Sequence, residues 1–255
     1  MLKRKYWIIT RFNYGLYHTR SDIDAAKWMD DRLVLFENFA ARSMHNQIDK
    51  DFTWLLLFDE ATSGKYIKKV EKLVSGLNVK YEFINSDAFQ GKKYGERTSI
   101  SLELVKKIQG VICKESLTSI QMRFDNDDAY SPETIQIIKN KLAAVRPRMV
   151  VEFRYGYIYD MVNNKMYEAE HNNGSPWIAI LVNNSTGETV YDSIHQRYNR
   201  SEQIMSYRSW MMVVHGNNVS NAVIDKMNPE PINVRLAMGK MGLYEGAVPR
   251  YNESW

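Results

Sequence analysis

Thr118-Ser119-Ile120-Gln121-Met122-Arg123-Phe124 runs without a break into Asp125-Asn126-Asp127-Asp128-Ala129, and the reading of this stretch decides the fold. The first seven residues have the length and apolar character of a buried strand, and the next four are acidic or amide. Open α/β sheets bind ligands beyond the carboxyl ends of their strands, and in such a sheet these carboxylates would stand at the ligand rim. Working outward, Tyr6 to Phe12 reads as a buried strand, and Phe52 to Phe58 as a central one covered on both faces. Val79 to Ile84 reads as a third. Between them Ser21, with Asp24 three residues on, caps a helix whose stripe is Ala25, Met29, Leu33, Phe36 and Ala40. Tyr66, Val70 and Leu73 mark a second helix, residues 86–97 a loop, and residues 98–109 a third helix. Ser131 as N-cap and Pro132 at the first helical position predict a helix presenting Ile135, Ile138 and Leu142.

Strands alternating with helices over residues 1–148 predict an α/β architecture with a mostly parallel, doubly wound sheet. Arg11, Asp59 and the Asp125–Asp128 cluster then stand at the carboxyl ends of three strands and share one rim. Residues 149–255 read differently, as an elaborated C-terminal part of the same domain. Val150 to Phe153, Gly156 to Met161 and Lys165 to Ala169 are short strands, with Asn163-Asn164 as a turn. Residues 171–176 read as a loop, Trp177 to Val182 as an apolar strand, and Trp210 to Val214 as another ending at His215-Gly216. The tail beyond Asn228 is expected to be mobile or to wrap the domain.

The 255 residues are 44% apolar and 25% charged, enough for a sizeable core. Cys113 is the one cysteine, which excludes an intrachain disulfide and a Cys-based zinc site. The basic start, Met1 to Lys5, leads into an apolar run that Arg11 interrupts, and no run approaches the ~20 residues of a membrane helix. The expectation is a cytoplasmic chain, with peripheral membrane contact left open. Net charge is +4. Lys65, Lys68, Lys69 and Lys72 form either a solvated helix face or an attraction for phosphates.

Sugar transfer from a nucleotide diphosphate requires the leaving diphosphate charge to be neutralised. A hard divalent cation held by carboxylates, with positions left for phosphate, supplies this. Asp125 and Asp127, one residue apart, can point the same way from an extended loop, so Mn²⁺ or Mg²⁺ is the expected cofactor. The other reading of such residues is a turn or cap.

Met122-Arg123-Phe124-Asp125-Asn126-Asp127-Asp128-Ala129 resembles the Arg-Leu-Asp-Asn-Asp-Asp-Ala motif of a bacterial rhamnosyltransferase family of GT-A type. Thr10-Arg11-Phe12-Asn13, the segment from Arg32-Leu33 to Phe36-Glu37, then Gln47, Asp51-Phe52, Trp54 and Phe58-Asp59 are similar to it as well. So are Gly156-Tyr157 and Trp210 to Asn218, so the likeness spans roughly residues 6–220. Residue 124 is Phe where the family has Leu. The resemblance implies a GT-A fold and a metal-dependent glycosyltransferase using a nucleotide diphosphate sugar donor and a saccharide or glycolipid acceptor. It places Thr10, Arg11, Asn13, Asp59, Arg123 and Asp125 at the donor, and Asp125, Asp127 and a C-terminal His215 at the metal. His195 and His171 are rivals of His215, and a surface ion pair is the rival reading for Arg11 and for Arg123. For the general base of an inverting reaction the candidates are Glu170, which adjoins the polar loop, and Asp160, with Glu168 nearby.

Other functions are open at this level. Arg197, Tyr198, Arg200, Tyr207, Arg208 and Trp210 interleave as a surface gripping nucleic acid does, which suggests sugar transfer onto a phage nucleobase; aromatic core plus solvated arginines is the alternative. A non-catalytic nucleotide-sugar-binding protein would keep the same fold. A phosphohydrolase is disfavoured, since no G-x-x-x-x-G-K-[ST] loop occurs.

Overall fold

The computed structural model describes residues 4–19, 21–85, 102–143, 149–171, 177–191, 201–215 and 230–243. The 86–97 loop, most of the 171–176 loop, His195, Arg197, Tyr198, Arg200 and Gly216 lie outside them.

Strand β1 (Lys5–Arg11) leads through a one-turn helix α1 (Leu16–Thr19) to α2 (Asp22–Leu35). Helix α2 continues without a break through a π-helical segment, Phe36–Ala41, into α3 (Arg42–His45). Next come β2 (Thr53–Asp59), α4 (Gly64–Leu73), β3 (Val79–Ile84), α5 (Leu102–Ile112) and β4 (Thr118–Arg123). The rest comprises β5 (Ala129–Tyr130), α6 (Thr134–Leu142), β6 (Val150–Asp160), β7 (Lys165–Glu170), β8 (Ile178–Asn183), β9 (Ser201–Val214), β10 (Pro231–Ile232) and α7 (Val234–Lys240).

The strands form one mixed sheet in the order β10-β7-β6-β8-β4-β1-β2-β3, with β9 pairing β6 and β5. Strands β4, β1, β2 and β3 are mutually parallel. Strand β8 is antiparallel to both β4 and β6, and β9 is parallel to β6. Thus β6 and β9 run the same way as β4, and Arg11, Asp59, Arg123, Asp160 and Val214 all end toward one rim. That shared direction brings residues far apart in sequence to one site.

Alternation along the parallel strands builds a core on each face. Ile8, Trp54, Leu56, Phe58, Ile120 and Met122 pack with Met29, Phe36, Tyr66 and Val70 of the helices. Trp7, Ile9, Leu55 and Leu57 pack on the other face with Leu104, Ile108 and Ile112 of α5, each burial worth about 1.5–3 kcal/mol. Every residue of β2 is buried, as a strand covered on both faces requires. Ser21 Oγ accepts from Asp24 N at 3.2 Å, the cap expected for α2. Helix α4 turns Tyr66 and Val70 inward and leaves Lys65, Lys68, Lys69 and Lys72 exposed.

The expected α/β sheet flanked by helices is present, parallel through β4, β1, β2 and β3 and mixed beyond β4. Two expectations are corrected. Helix α6 starts at Thr134, not at Ser131-Pro132, because Thr134 N bonds back to Ser131 O at 3.1 Å and Pro132 O accepts from Ile48 N, making these residues a turn. Val150 to Phe153 and Gly156 to Met161 are one strand, β6, with register irregularities on either side of Tyr155 opposite β9. The tail wraps where described. Strand β10 pairs antiparallel with β7, and α7 packs Ala237 and Met238 against Tyr157, Met166 and Met211.

Candidate functional site

The loop after β4 divides its charged side chains between two sets of partners. Asn126 is the wedge: its Nδ2 donates to Phe12 O at 2.7 Å, and its Oδ1 accepts from Arg32 Nη1 at 2.9 Å. With Asn126 pinned, Asp127 turns toward α2 and β9. Its Oδ2 accepts from His215 Nε2 at 3.1 Å and also meets Arg32 Nη1 in an ion pair. Asp125 instead lies 3.4 Å from Arg123 Nη2. Asp128 is buried and accepts from Val213 N at 3.2 Å, which ties the loop to β9 two residues before His215.

The electrostatics follow from this packing. Burial alone would raise the Asp127 carboxyl, but Arg32 and His215 outweigh it and hold the group ionised below the usual carboxylate range. For Asp128 burial, then the neighbouring Asp127 and Asp125, outweigh the Val213 N–H and Arg32 and push it well above the usual range. Arg32 is further fixed by the Trp28 ring, 4.7 Å from its guanidinium carbon.

Among the described residues no three His, Cys, Asp or Glu side chains cluster to hold a metal ion. Mg²⁺-type cations nevertheless need only one or two carboxylates, with waters and substrate phosphates completing the shell. Two ligands ~2.1 Å from such an ion on adjacent octahedral corners lie about 3 Å apart, and Asp127 and His215 are 3.1 Å apart. The Asp127 carboxylate is a hard oxygen donor of the kind Mn²⁺ and Mg²⁺ take, and His215 Nε2 would join it as a ligand on giving up the proton it now shares with Asp127. Arg32 shares the Asp127 oxygen and keeps Asn126 as a second anchor.

The other residues expected at the donor separate into two groups. Thr10, Asn13 and Asp59 are buried and knit the ends of β1 and β2 together. Trp54 Nε1 donates to Thr10 Oγ1 at 2.9 Å, Asn13 Nδ2 donates to Thr62 Oγ1 at 2.9 Å, and Asp59 Oδ1 accepts from Ala61 N at 2.9 Å. Arg11 and Arg123 reach the other face, beside Tyr191. Thr10→Val is accordingly expected to cost about 1–2 kcal/mol of stability, for the unsatisfied indole N–H, while leaving ligand affinity within twofold. Urea unfolding and calorimetry on the variant check both.

The two carboxylates proposed as bases sit apart. Asp160, at the end of β6, stands in register with Val214, but its oxygens accept from Asn163 N at 3.1 Å and Asn163 Nδ2 at 2.7 Å, capping the β6–β7 turn. Glu170 pairs in register with Tyr155, five positions back along β6, or roughly 16 Å from Asp160 at 3.3 Å per residue. There it is held by Arg154, with Nε at 2.7 Å. Glu168 is paired with Arg208 at 2.6 Å.

His171 packs against Trp177 and Trp210, with ring centroids 5.6 and 5.4 Å away. Burial lowers its pKa from the ordinary 6.5. The unfolded chain therefore takes up a proton below about pH 6.5 that the folded chain resists, and stability falls as pH drops through that window. Melting temperatures at pH 7.5 and 5.5 are expected to differ less for His171→Phe than for the wild type.

Of the residues read as gripping nucleic acid, Trp210 is fully buried and Arg208 is ion-paired, whereas Tyr207 is exposed. Among the described residues no helix is long and apolar enough to cross a membrane. Arg32 and Tyr191 are the residues that sequence reasoning missed. Arg32 carried a signal in the likeness of the Arg32-Leu33 to Phe36-Glu37 segment, which gave it no role, whereas Tyr191 carried none.

The chain is similar to several solved structures and to one family of sequences. Among solved structures it resembles residues 1–349 of S. aureus TarS, with 11% identity over 83% of this chain and 60% of that one, at a TM-score of 0.46. Against the longer TarS structure it spans 37% of the chain, again at 0.46. The inositol-1-phosphate CTP transferase of T. maritima gives 9% identity over 89% of this chain and 97% of that one, at 0.43. Curated proteins provide no match. A family model described as "Putative rhamnosyl transferase" matches residues 15–227. That match takes in α2 with Arg32, the Asp125–Asp128 loop and His215, and covers most of the sequence: the chain belongs to the rhamnosyl transferase family.

Proposed function

We propose that the chain is a metal-dependent glycosyltransferase that moves a sugar from a nucleotide diphosphate donor to a saccharide or glycolipid acceptor. One observation carries the reading: Asp127 and His215, 88 residues apart, meet at 3.1 Å where β4 and β9 end on one rim. A carboxylate oxygen with an imidazole nitrogen beside it is a donor set that a divalent cation bound to phosphate can take.

In this reading Asp127 and His215 hold Mn²⁺ or Mg²⁺, with Asp125 close by in the same loop. When bound, the ion neutralises the diphosphate as the glycosidic bond breaks. Arg32 keeps Asp127 ionised and fixes its orientation through Asn126, so the carboxylate is ready before the donor arrives. Asp128, hydrogen-bonded to Val213, keeps the loop and the His215 strand in register. Thr10, Asn13 and Asp59 brace the floor beneath the nucleotide.

Isothermal titration of UDP, GDP, dTDP and CDP, with and without Mn²⁺, tests the proposal. One nucleotide is expected to bind in a metal-dependent manner and to lose that dependence in His215→Ala. Failure of folded wild type to bind any of the four contradicts it.

A further inference from the structure

Arg11 and Arg123 are the last residues of two neighbouring parallel strands, and both guanidiniums converge on one ring. The guanidinium carbon of Arg11 lies 5.3 Å from the centre of Tyr191, and that of Arg123 lies 5.7 Å from it. Tyr191 is 1% exposed and fixed from several directions. Its hydroxyl donates to Ile9 O at 3.1 Å, its N–H donates to Thr189 Oγ1 at 3.1 Å, and the adjacent Val190 N–H donates to Gln121 Oε1 at 3.1 Å. The segment is thereby bolted to both β1 and β4, the strands that carry the two arginines.

The charge balance at this spot is incomplete. The Nε atoms of Arg11 and Arg123 are both buried without a hydrogen-bond partner. Asp125 is the carboxylate recorded in an ion pair there, 3.4 Å from Arg123, and its side chain is 36% exposed. Two guanidiniums with buried donors against one half-exposed carboxylate is an arrangement that favours a further anion. Planar, always-charged forks suit phosphate oxygens in particular. Asp127 and His215, by contrast, engage Arg32 of α2.

We propose that Arg11, Tyr191 and Arg123 form a diphosphate site that works without a metal ion, with Tyr191 as the positioning residue that spaces the two guanidiniums. The site stands on its own geometry, and its assignment to the donor rests on the function proposed above.

Titration of inorganic pyrophosphate in EDTA at low salt tests this on wild type, Arg11→Gln, Arg123→Gln, Tyr191→Phe and Tyr191→Leu. Wild type is expected to bind, and each arginine variant to bind at least tenfold more weakly. Tyr191→Phe keeps the ring and stays within threefold of wild type, whereas Tyr191→Leu, with both arginines intact, loses tenfold. A merely structural tyrosine would move melting temperature but not this affinity, so melting curves are recorded beside each titration. Should either Gln variant fail to fold, Arg11→Lys and Arg123→Lys keep the charge without the fork, with a loss of three- to tenfold expected. Absence of pyrophosphate binding by folded wild type in EDTA overturns the site, as does wild-type affinity in Arg123→Gln or Tyr191→Leu. If nucleotides bind with Mn²⁺ while pyrophosphate in EDTA does not, this inference alone fails. If pyrophosphate binds but no nucleotide does, the anion site stands and its assignment to a donor falls.

Discussion

Asp127→Ala is expected to lower the affinity for nucleotide diphosphate in Mn²⁺ by roughly 100-fold, equivalent to about 2.8 kcal/mol. It is also expected to destabilise the fold by about 3 kcal/mol, because Arg32, at 10% side-chain exposure, keeps Asn126 but loses its carboxylate. For a chain of this size that is a fall of about 6–12 °C in melting temperature. Asp127→Asn separates the two effects. The amide oxygen still accepts from Arg32, so most of the stability returns, while the anionic metal ligand is gone. A melting curve and a nucleotide titration on both variants settle the matter. An Asn variant that binds like wild type would remove Asp127 from the site.

Gly156→Ala is expected to destabilise the fold about as much as Asp127→Ala, by a different route. A Cβ at this position would fall within the indole of Trp210, well inside van der Waals contact. The indole has nowhere to go, since it is stacked on Trp177 at 3.8 Å and 3° and donates from Nε1 to Phe153 O at 3.1 Å. Overpacking of this kind costs about 3 kcal/mol, and the melting temperature should fall by about 10 °C. Because Trp210 lies on the strand that delivers His215, residual activity should fall in the folded fraction as well. Double substitution with Trp210→Leu should recover part of the loss, as a double-mutant cycle would show.

The parallel half of the fold was legible because its signals are local. Continuous burial through β2 and through the middles of β1 and β4, and the Ser21 cap, are written within a few residues of where they act. The Asn163-Asn164 turn was equally readable, and Asn164 takes the left-handed φ of 49° that favours asparagine. What was not legible depends on distant partners. Alternation along an extended loop would aim Asp125 and Asp127 the same way, but Asn126, bound to Phe12 O and to Arg32 94 residues away, sends them to different neighbours. Tyr191 reaches across 182 residues to Ile9, and no periodicity announces that contact. The single strand of β6 was split in two because its irregularity around Tyr155 resembles a break, when it is a bulge facing β9.

The measurement that bears most directly on the central claim is release of nucleotide diphosphate from a panel of nucleotide sugars by the wild-type chain in Mn²⁺, alongside Asp127→Asn. Release from one nucleotide class, suppressed about 100-fold or more in the variant at equal folding, is the result expected when the Asp127–His215 pair holds the ion at the donor. Release that is undiminished in Asp127→Asn, or folded wild type that neither binds nor cleaves any donor, would contradict it.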